Sequence, residues 1–256
     1  MESISSLKNP KAALWRSLKE RKGRRESGCF LVEGDKMVLE AFRSCFPVEA
    51  VLIREDRGEE DFPIPDGIPV FVLSRSVFDS VSDTRTPQGI AAVLRITGRE
   101  LCGRRLIALD GVQDPGNVGT IIRTADAAGF DGILLSAECA DVFSPKVLRA
   151  TMGSIYRMPL RTVSSLLDEL RKLRESGYSV LSSQLDGDPF YERKNVADDF
   201  CLIIGNEGNG ISEEVRAEAT HRLKLPMRGG AESLNAAVAA AIMMYELTRP
   251  CPATGA

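Results

Sequence analysis

Residues 106–128 read LIALDGVQDPGNVGTIIRTADAA. The first four residues of this stretch are apolar and typical of a buried strand, the following glycines and proline predict a turn, and residues 118–128 predict a helix. The same alternation continues to an apolar strand predicted at 200–204 and a long apolar helix predicted at 233–247. Strands that alternate with helices predict a parallel sheet covered on both faces, so the expected fold class is α/β.

The N-terminal part of the chain has its own α/β pattern. A helix is predicted over 7–22, followed by a polar break at 23–28 and then by short strands and helices. We therefore predict a first domain over 1–98, a linker over 99–104 and a second domain over 105–256.

The composition of the 256 residues is that of a soluble globular protein, with 43% hydrophobic and 27% charged residues. No apolar run approaches the roughly 20 residues that span a bilayer, and the N-terminus lacks the apolar core of a secretory signal. The six cysteines are scattered, which predicts free thiols in a reducing cytoplasm. Because His221 is the one histidine, a multi-histidine metal site is excluded, and we expect neither a metal nor a membrane partner.

Charge is distributed unevenly along the chain. The net charge is −3, which argues against a general nucleic-acid binder. Residues 1–25, however, carry eight basic and two acidic side chains, a local charge of +6. This basic arm fits either localised contact with RNA or a solvated cationic helix.

Three segments rich in glycine, asparagine and small polar residues follow predicted strands. We name them segment one (110–125), segment two (204–212) and segment three (225–239). In parallel sheets, ligands bind outside the carboxyl ends of the strands. Segment two has the glycine spacing of a P-loop, but Ile211 stands where the lysine is needed, so phosphate binding of that kind is rejected. Segment one lacks the GxGxxG pattern, so a dinucleotide fingerprint fails too.

Individual residues of these segments have ordinary structural interpretations. The glycines of segment two fit a strand-to-helix turn, Arg123 a solvated helix residue and Ser233 a helix N-cap. Glu207 lies between glycines after a buried strand, so its side chain is expected to project into a cleft. Asn235, expected just inside an alanine-rich helix, is poorly explained by helix propensity.

Taken together and in this order, the three segments resemble the signature motifs of SpoU-type (TrmH-like) RNA ribose 2′-O-methyltransferases of the SPOUT superfamily. The matching residues are Asn117, Gly119, Arg123, Thr124 and Ala125 in segment one, Gly205, Glu207, Gly208 and Gly210 in segment two, and Leu225, Pro226, Met227, Gly229, Ser233, Leu234, Asn235 and Val238 in segment three. Residues 8–10, 30–34 and 86–89 are similar to the substrate-binding domain found ahead of many SpoU enzymes. That domain resembles small RNA-binding ribosomal proteins with an α/β/α sandwich.

The resemblance implies a deep trefoil knot near the C-terminus, S-adenosyl-L-methionine as cofactor, RNA as partner, and a homodimer with the active site near its interface. It implies catalytic roles for Asn117, Arg123, Glu207, Ser233 and Asn235, and cofactor contacts from Gly205, Leu225, Met227, Gly229 and Leu234. Because an arginine guanidinium stays protonated in proteins, we expect Arg123 to stabilise a developing alkoxide rather than act as a free base.

The expected substrate is large-subunit (23S-type) rRNA, with tRNA as the alternative. A catalytically silent RNA-binding module on the same fold would be favoured if Asn117 or Arg123 were missing, and both are present. The failed dinucleotide fingerprint disfavours an oxidoreductase. The Asn/Arg and Ser-Leu-Asn residues would be the wrong signature for methylation of a base nitrogen.

Overall fold

The computed structural model describes residues 2–57 and 62–249. They form two compact units, the first from described residues within Met1–Thr97 and Asp141–Arg157, the second from those within Gly98–Ala140 and Met158–Ala256. The domain boundaries expected from the sequence remain a prediction. They assign residues 141–157 to the second domain, whereas in the structure this segment packs with the first unit.

The first unit is built on a mixed five-stranded sheet. Its strands are β1 (Glu2–Ile4), β2 (Cys29–Glu33), β3 (Val48–Arg54), β4 (Val70–Leu73) and β5 (Ile90–Arg95), and its helices are α1 (Pro10–Ser17), α2 (Arg21–Ser27), α3 (Asp35–Phe42), α4 (Arg75–Val81) and α6 (Pro145–Thr151). The strand order is β1-β4-β3-β5-β2, with β5 antiparallel to both of its neighbours. One face of the sheet buries Trp15 of α1 and Phe78 of α4 against Leu52.

The N-terminal helix differs from its prediction. The expected single helix over 7–22 is two helices, and the expected polar break at 23–28 is helical as far as Ser27. Gly23 gives the physical reason, because a Cβ atom there would collide with the carbonyl oxygen of Ser17. The glycine therefore marks the close approach of α2 to the end of α1 rather than a break in the helix.

Arg24, one of the eight basic residues of the N-terminal arm, has a structural role. Its side chain is 4% exposed and forms an ion pair of 2.7 Å with Asp141, whose side chain is 19% exposed. It also donates hydrogen bonds to the carbonyl oxygens of Leu18 and Lys19. The charge of Arg24 is therefore neutralised inside the first unit, and the arm offers less free charge to RNA than its composition predicts.

Aromatic and polar contacts of the segment 141–157 reinforce its place in the first unit. The rings of Phe143 and Phe30 lie with their centroids 4.7 Å apart. The hydroxyl of Tyr156 donates to the carbonyl oxygen of Met37 at 2.9 Å, and burial raises the pKa of this tyrosine. The segment is thus part of the core of the first unit rather than a surface loop.

The second unit is built on a six-stranded sheet. Its strands are β6 (Arg105–Asp110), β7 (Gly132–Ser136), β8 (Leu160–Val163), β9 (Ser179–Pro189), β10 (Phe200–Gly205) and β11 (His221–Lys224), and its helices are α5 (Pro115–Ala127), α7 (Leu166–Glu175), α8 (Glu213–Ala217) and α9 (Ala236–Leu247). The order is β11-β9-β10-β6-β7-β8, and every neighbouring pair is parallel. The predicted α/β fold with a parallel sheet is confirmed, while the trefoil knot stays a prediction.

The described residues contain neither a membrane-spanning helix nor a cluster of metal ligands. Within residues 2–57 and 62–249, no helix is long and apolar enough to cross a membrane. No cluster of three or more His, Cys, Asp or Glu side chains in those ranges is placed to hold a metal ion. The five cysteines in the same ranges are free thiols, and Cys251 lies outside the described residues.

The ion pair between Arg24 and Asp141 leads to a stability prediction. Arg24→Ala should lower the free energy of unfolding of the first unit by about 3 kcal/mol, because it leaves a largely buried carboxylate without its partner. Trp15, the one tryptophan, lies in the core of this unit, so its fluorescence during urea unfolding measures the change. Arg25→Ala on the same helix is the control, and equal loss in both variants would contradict the assignment.

Candidate active site

Segments one, two and three leave the carboxyl ends of β6, β10 and β11. Strands β6 and β10 are neighbours, and their register runs to the pair Gly205 and Asp110 at the last residue of each strand. The start of segment two is therefore adjacent to the start of segment one. This is the edge at which parallel α/β sheets bind their ligands.

Segment one enters helix α5 three residues earlier than predicted. Pro115 occupies the first turn, and the side chain of Asp114 caps the helix by accepting a hydrogen bond of 2.8 Å from the Asn117 backbone N–H. Asn117 thereby lies in the first turn, 9% exposed. Arg123 is exposed further along α5, and no hydrogen bond or ion pair joins its side chain to another described residue.

Three predicted site residues form one hydrogen-bonded chain. Asn117 Nδ2 donates to Glu207 Oε1 at 2.7 Å, and Asn235 Nδ2 donates to Asn117 Oδ1 at 2.9 Å. Asn235 Oδ1 accepts from the backbone N–H groups of Ala237 and Val238 at 3.0 and 3.2 Å. Because Glu207 and the helix N-terminus fix the two ends, the orientation of both amides is determined. This chain, here called the Glu207–Asn117–Asn235 chain, ties the three segments together.

Helix α9 begins later than predicted, and its N-cap is Asn235 rather than Ser233. The predicted helix over 233–247 instead starts at Ala236. N-cap asparagine satisfies backbone donors of the first turn, which explains an asparagine next to a run of alanines. The hydroxyl of Ser233 has no hydrogen-bond partner among the described residues and lies at the wall of the cavity described below.

Asn206 was not singled out in the sequence, yet it organises segment two. Its Nδ2 donates to the Gly111 carbonyl oxygen at 2.8 Å, while its Oδ1 accepts from the backbone N–H groups of Gly208 and Asn209. Asparagine side chains often accept from the backbone N–H two residues further on in an Asx-turn, and an asparagine two residues before Gly208 is a signal that could have identified it. Asp110 adds a second link, since its Oδ2 accepts from the Ser212 N–H at 2.7 Å.

A cavity of about 750 Å³ lies against segments two and three and the β9 residues 183–186. Its lining includes the predicted residues Gly205, Glu207, Leu225, Met227, Ser233, Leu234 and Asn235. Asn117, Arg123 and Gly229 do not line it, so the proposed cofactor contact of Gly229 lacks support from this cavity. The volume is within the range of small-molecule sites, about 300–1,000 Å³.

The side chains that could compete as nucleophiles are unsuited to that role. Burial raises the pKa of the Cys139 thiol, and it raises that of Cys201 to about 12. Both thiols therefore stay protonated near neutral pH. His221 forms contacts of 2.8 Å with Thr220 Oγ1 and 3.1 Å with the carbonyl oxygen of Lys194, which indicates a structural role.

Comparison with known proteins gives consistent matches along the chain. The model of the SpoU rRNA Methylase family matches residues 104–245, and that of the MRM3-like substrate binding domain matches residues 9–92. The 23S rRNA (guanosine(2553)-2′-O)-methyltransferase RlmP of Bacillus subtilis is 39% identical over 96% of this chain and 99% of its own.

Two solved structures extend the comparison. An AdoMet-bound rRNA methyltransferase from Sinorhizobium meliloti has a TM-score of 0.86 and 32% identity, and the match covers 97% of both chains. A structure concerned with 2-OH methylation of C/U34 on tRNA has a TM-score of 0.51 and 32% identity, covering 57% of this chain and 97% of that one.

The parallel sheet, the three joined segments and these matches define an S-adenosylmethionine-dependent RNA ribose 2′-O-methyltransferase. The chain belongs to the SpoU rRNA methylase family. The resemblance found in the sequence and the expected cofactor are thereby confirmed.

Gly205 is expected to be intolerant of any side chain. A Cβ atom there would come within 2.5 Å of the Gly210 carbonyl oxygen, so it would displace the backbone of segment two. Gly205→Ala should weaken S-adenosylmethionine binding by about tenfold, measured by calorimetry on folded protein. Gly208→Ala is the matched control, because its Cβ would meet Asn206 Oδ1 at an ordinary 3.5 Å. Equal affinity of the two variants would show that segment two tolerates the shift.

Asn235 allows its two roles to be separated. Asn235→Asp keeps the oxygen that caps α9 but replaces the donor to Asn117 with an acceptor, so methyl transfer should fall by about tenfold or more and the unpartnered Asn117 oxygen should cost about 1–3 kcal/mol of stability. Asn235→Ala removes the cap as well and should lose about 1 kcal/mol more. Rates and thermal melts of the two variants test this, and a fully active Asp variant would contradict the positioning role.

Proposed function

We propose that this chain methylates a ribose 2′-hydroxyl of large-subunit (23S-type) rRNA. The proposal rests on similarity along the whole chain, because RlmP, whose name gives 23S rRNA as its substrate, aligns with 96% of it. The tRNA-related structure covers 57% of this chain, which is less than the two family-matched regions together. The relative named for rRNA matches both regions of this chain, and this favours rRNA over tRNA as the substrate.

We assign RNA binding to residues 1–98 and methyl transfer to residues 105–256, with 99–104 as the linker. The substrate-binding match over 9–92 supports the first assignment. So do Lys8 and Arg25, which are exposed and form no ion pair with any described residue. Such cations contact phosphates and release counterions.

The residues around the cavity suit S-adenosyl-L-methionine. Leu225, Met227 and Leu234 form the apolar part of the cavity wall. Gln184 also lines the cavity, and its amide oxygen is buried without a hydrogen-bond partner among the described residues. An unsatisfied acceptor beside an open cavity is expected where a ligand or water completes the wall. When bound, the cofactor supplies a methyl group already activated on a sulfonium. We assign its binding to these apolar residues together with the backbone at Gly205.

The protein's main task is to activate a weak nucleophile. Transfer forms the O–CH3 bond, breaks the S–CH3 bond and releases the proton of the 2′-hydroxyl, so alignment and proton loss limit the reaction. Arg123 suits stabilisation of the developing alkoxide or an adjacent phosphate, because its exposed guanidinium has no partner within the described ranges. Ser233 supplies an unpartnered hydroxyl to the ribose, while Glu207, Asn117 and Asn235 hold the segments in place.

We also propose a homodimer formed through helix α9. Val238, Ile242 and Tyr245 share one face of this helix and are 47%, 37% and 55% exposed. Exposed apolar side chains in such a row are typical of an interaction surface. The reducing cytoplasm, expected from the cysteine pattern, is the location we propose.

The substrate assignment can be tested with total RNA from a strain that lacks the gene. Purified protein and radiolabelled S-adenosylmethionine should place label in large-subunit rRNA, at a ribose 2′-oxygen identified by mapping. Label in tRNA would support the alternative substrate. Intact cofactor binding without any incorporation would support the silent RNA-binding module.

Arg123 should be needed for transfer but not for the cofactor. Arg123→Ala is expected to reduce methyl transfer by about 100-fold or more, since it removes preorganised charge stabilisation, while calorimetry shows nearly unchanged S-adenosylmethionine affinity. Arg105→Ala is the matched control, because Arg105 is also exposed and unpaired among the described residues. An active Arg123→Ala enzyme would remove Arg123 from the mechanism.

A further inference from the structure

Strand β11 places two cations on one outward face. Leu223 is 2% exposed and points into the core, and alternation along the strand puts its neighbours on the opposite face, where Arg222 is exposed and Lys224 half-buried; the register with β9 shifts between Arg222 and Leu223. Two residues of a strand span about 6.6 Å, which keeps the two charges close together. Because β11 pairs with β9 alone, it is an edge strand of the six-stranded sheet.

These cations and Arg228 are not neutralised by the protein. Within residues 2–57 and 62–249, none of the three has an ion pair or a side-chain hydrogen bond, and Asp188, opposite Leu223 on β9, forms no ion pair with them. Most other cations of the second unit are paired with carboxylates: Arg104, Arg161, Arg171, Lys172, Arg174, Arg193, Arg216 and Arg249. Three unpaired cations of the described part of the second unit therefore lie together between residues 222 and 228.

The same stretch forms part of the cavity wall. Leu225 and Met227 line the cavity, and Lys224 and Arg228 flank them in sequence. A polyanion held by the cations would therefore run past the mouth of the cavity. That is the path an RNA strand needs if one of its riboses is to reach the methyl group.

We propose that Arg222, Lys224 and Arg228, the β11 cation surface, bind the phosphate backbone of the substrate RNA beside the active site. The inference rests on the proposed function for the identity of the polyanion as RNA. The stretch 221–228, HRLKLPMR, has no Phe, Tyr or Trp on which a base could stack. Its contacts are thus to phosphates, which position the strand without reading its sequence. RNA affinity is shared between this surface and the first unit.

Salt dependence of RNA binding tests the surface in the full chain. The probe is a fluorescein-labelled single-stranded RNA of mixed sequence, titrated at several KCl concentrations. In the double variant Arg222→Gln/Lys224→Gln, the slope of log affinity against log salt should fall by about 1.4, because each lost single-strand phosphate contact removes about 0.7. Arg228→Gln should lower it by about half as much.

Arg105→Gln is the matched control. Arg105 is exposed and unpaired within the described ranges, but it begins β6 and so lies at the opposite end of the strands from the cavity. The slope of log RNA affinity against log salt for Arg105→Gln should equal that of the wild type. An unchanged slope in the double variant, or an equal fall in Arg105→Gln, would overturn the proposal.

Two further readouts separate this proposal from the proposed function. Cofactor calorimetry and methyl transfer to RNA are measured on the wild-type protein from the same preparation. An active wild type with an unchanged slope in the double variant would reject the β11 cation surface and leave the function standing. A wild type that binds RNA with the expected slopes but transfers no methyl would reject the function and leave the surface standing.

Discussion

The hydrogen bond from Asn117 to Glu207 joins residues 90 positions apart, and the one from Asn235 to Asn117 joins residues 118 positions apart. The Asn117 amide nitrogen donates to the Glu207 carboxylate in segment two. The Asn235 amide oxygen accepts from the backbone N–H groups at the start of α9. Hydrogen bonds to charged groups contribute about 1.5–3 kcal/mol, and a buried amide without a partner costs a similar amount. The Glu207–Asn117–Asn235 chain therefore couples the three segments, so that a substitution of one of its residues alters the positions of the other two.

This coupling divides the polar residues of the site into two groups. Asn117 and Asn235 use their amides within the protein, so they position the segments rather than contact substrate through those bonds. Arg123 and Ser233 have no such partner in the described part of the chain, and the proposed mechanism therefore assigns these two side chains to RNA. An enzyme that must align an oxygen, a carbon and a sulfur needs both kinds of residue, because free groups are effective only when their support is rigid.

Local signals in the sequence located many of the elements but neither their exact bounds nor their connections. The parallel sheet follows from the alternation of apolar strands and helices, and the three motif segments were found from their glycines and asparagines. The starts of α5 and α9 were misplaced although Asp114-Pro115 and Asn235 are recognisable capping residues. By contrast, no local pattern indicates that Arg24 pairs with a residue 117 positions away, so its charge was assigned to the RNA-binding arm.

Residues 141–157 belong in sequence to the region matched by the methyltransferase family, but they pack with the first unit. They lie inside the family match over 104–245, yet Asp141 and Phe143 pack with Arg24 and Phe30 of the first unit. The chain thus leaves the first unit after residue 97, returns to it at residue 141 and leaves it again after residue 157. Cutting it between residues 98 and 105 would leave a buried arginine without its carboxylate and expose aromatic surface. The contribution of each unit to RNA binding is therefore best measured by substituting surface charges in the intact chain, because such substitutions disturb neither core.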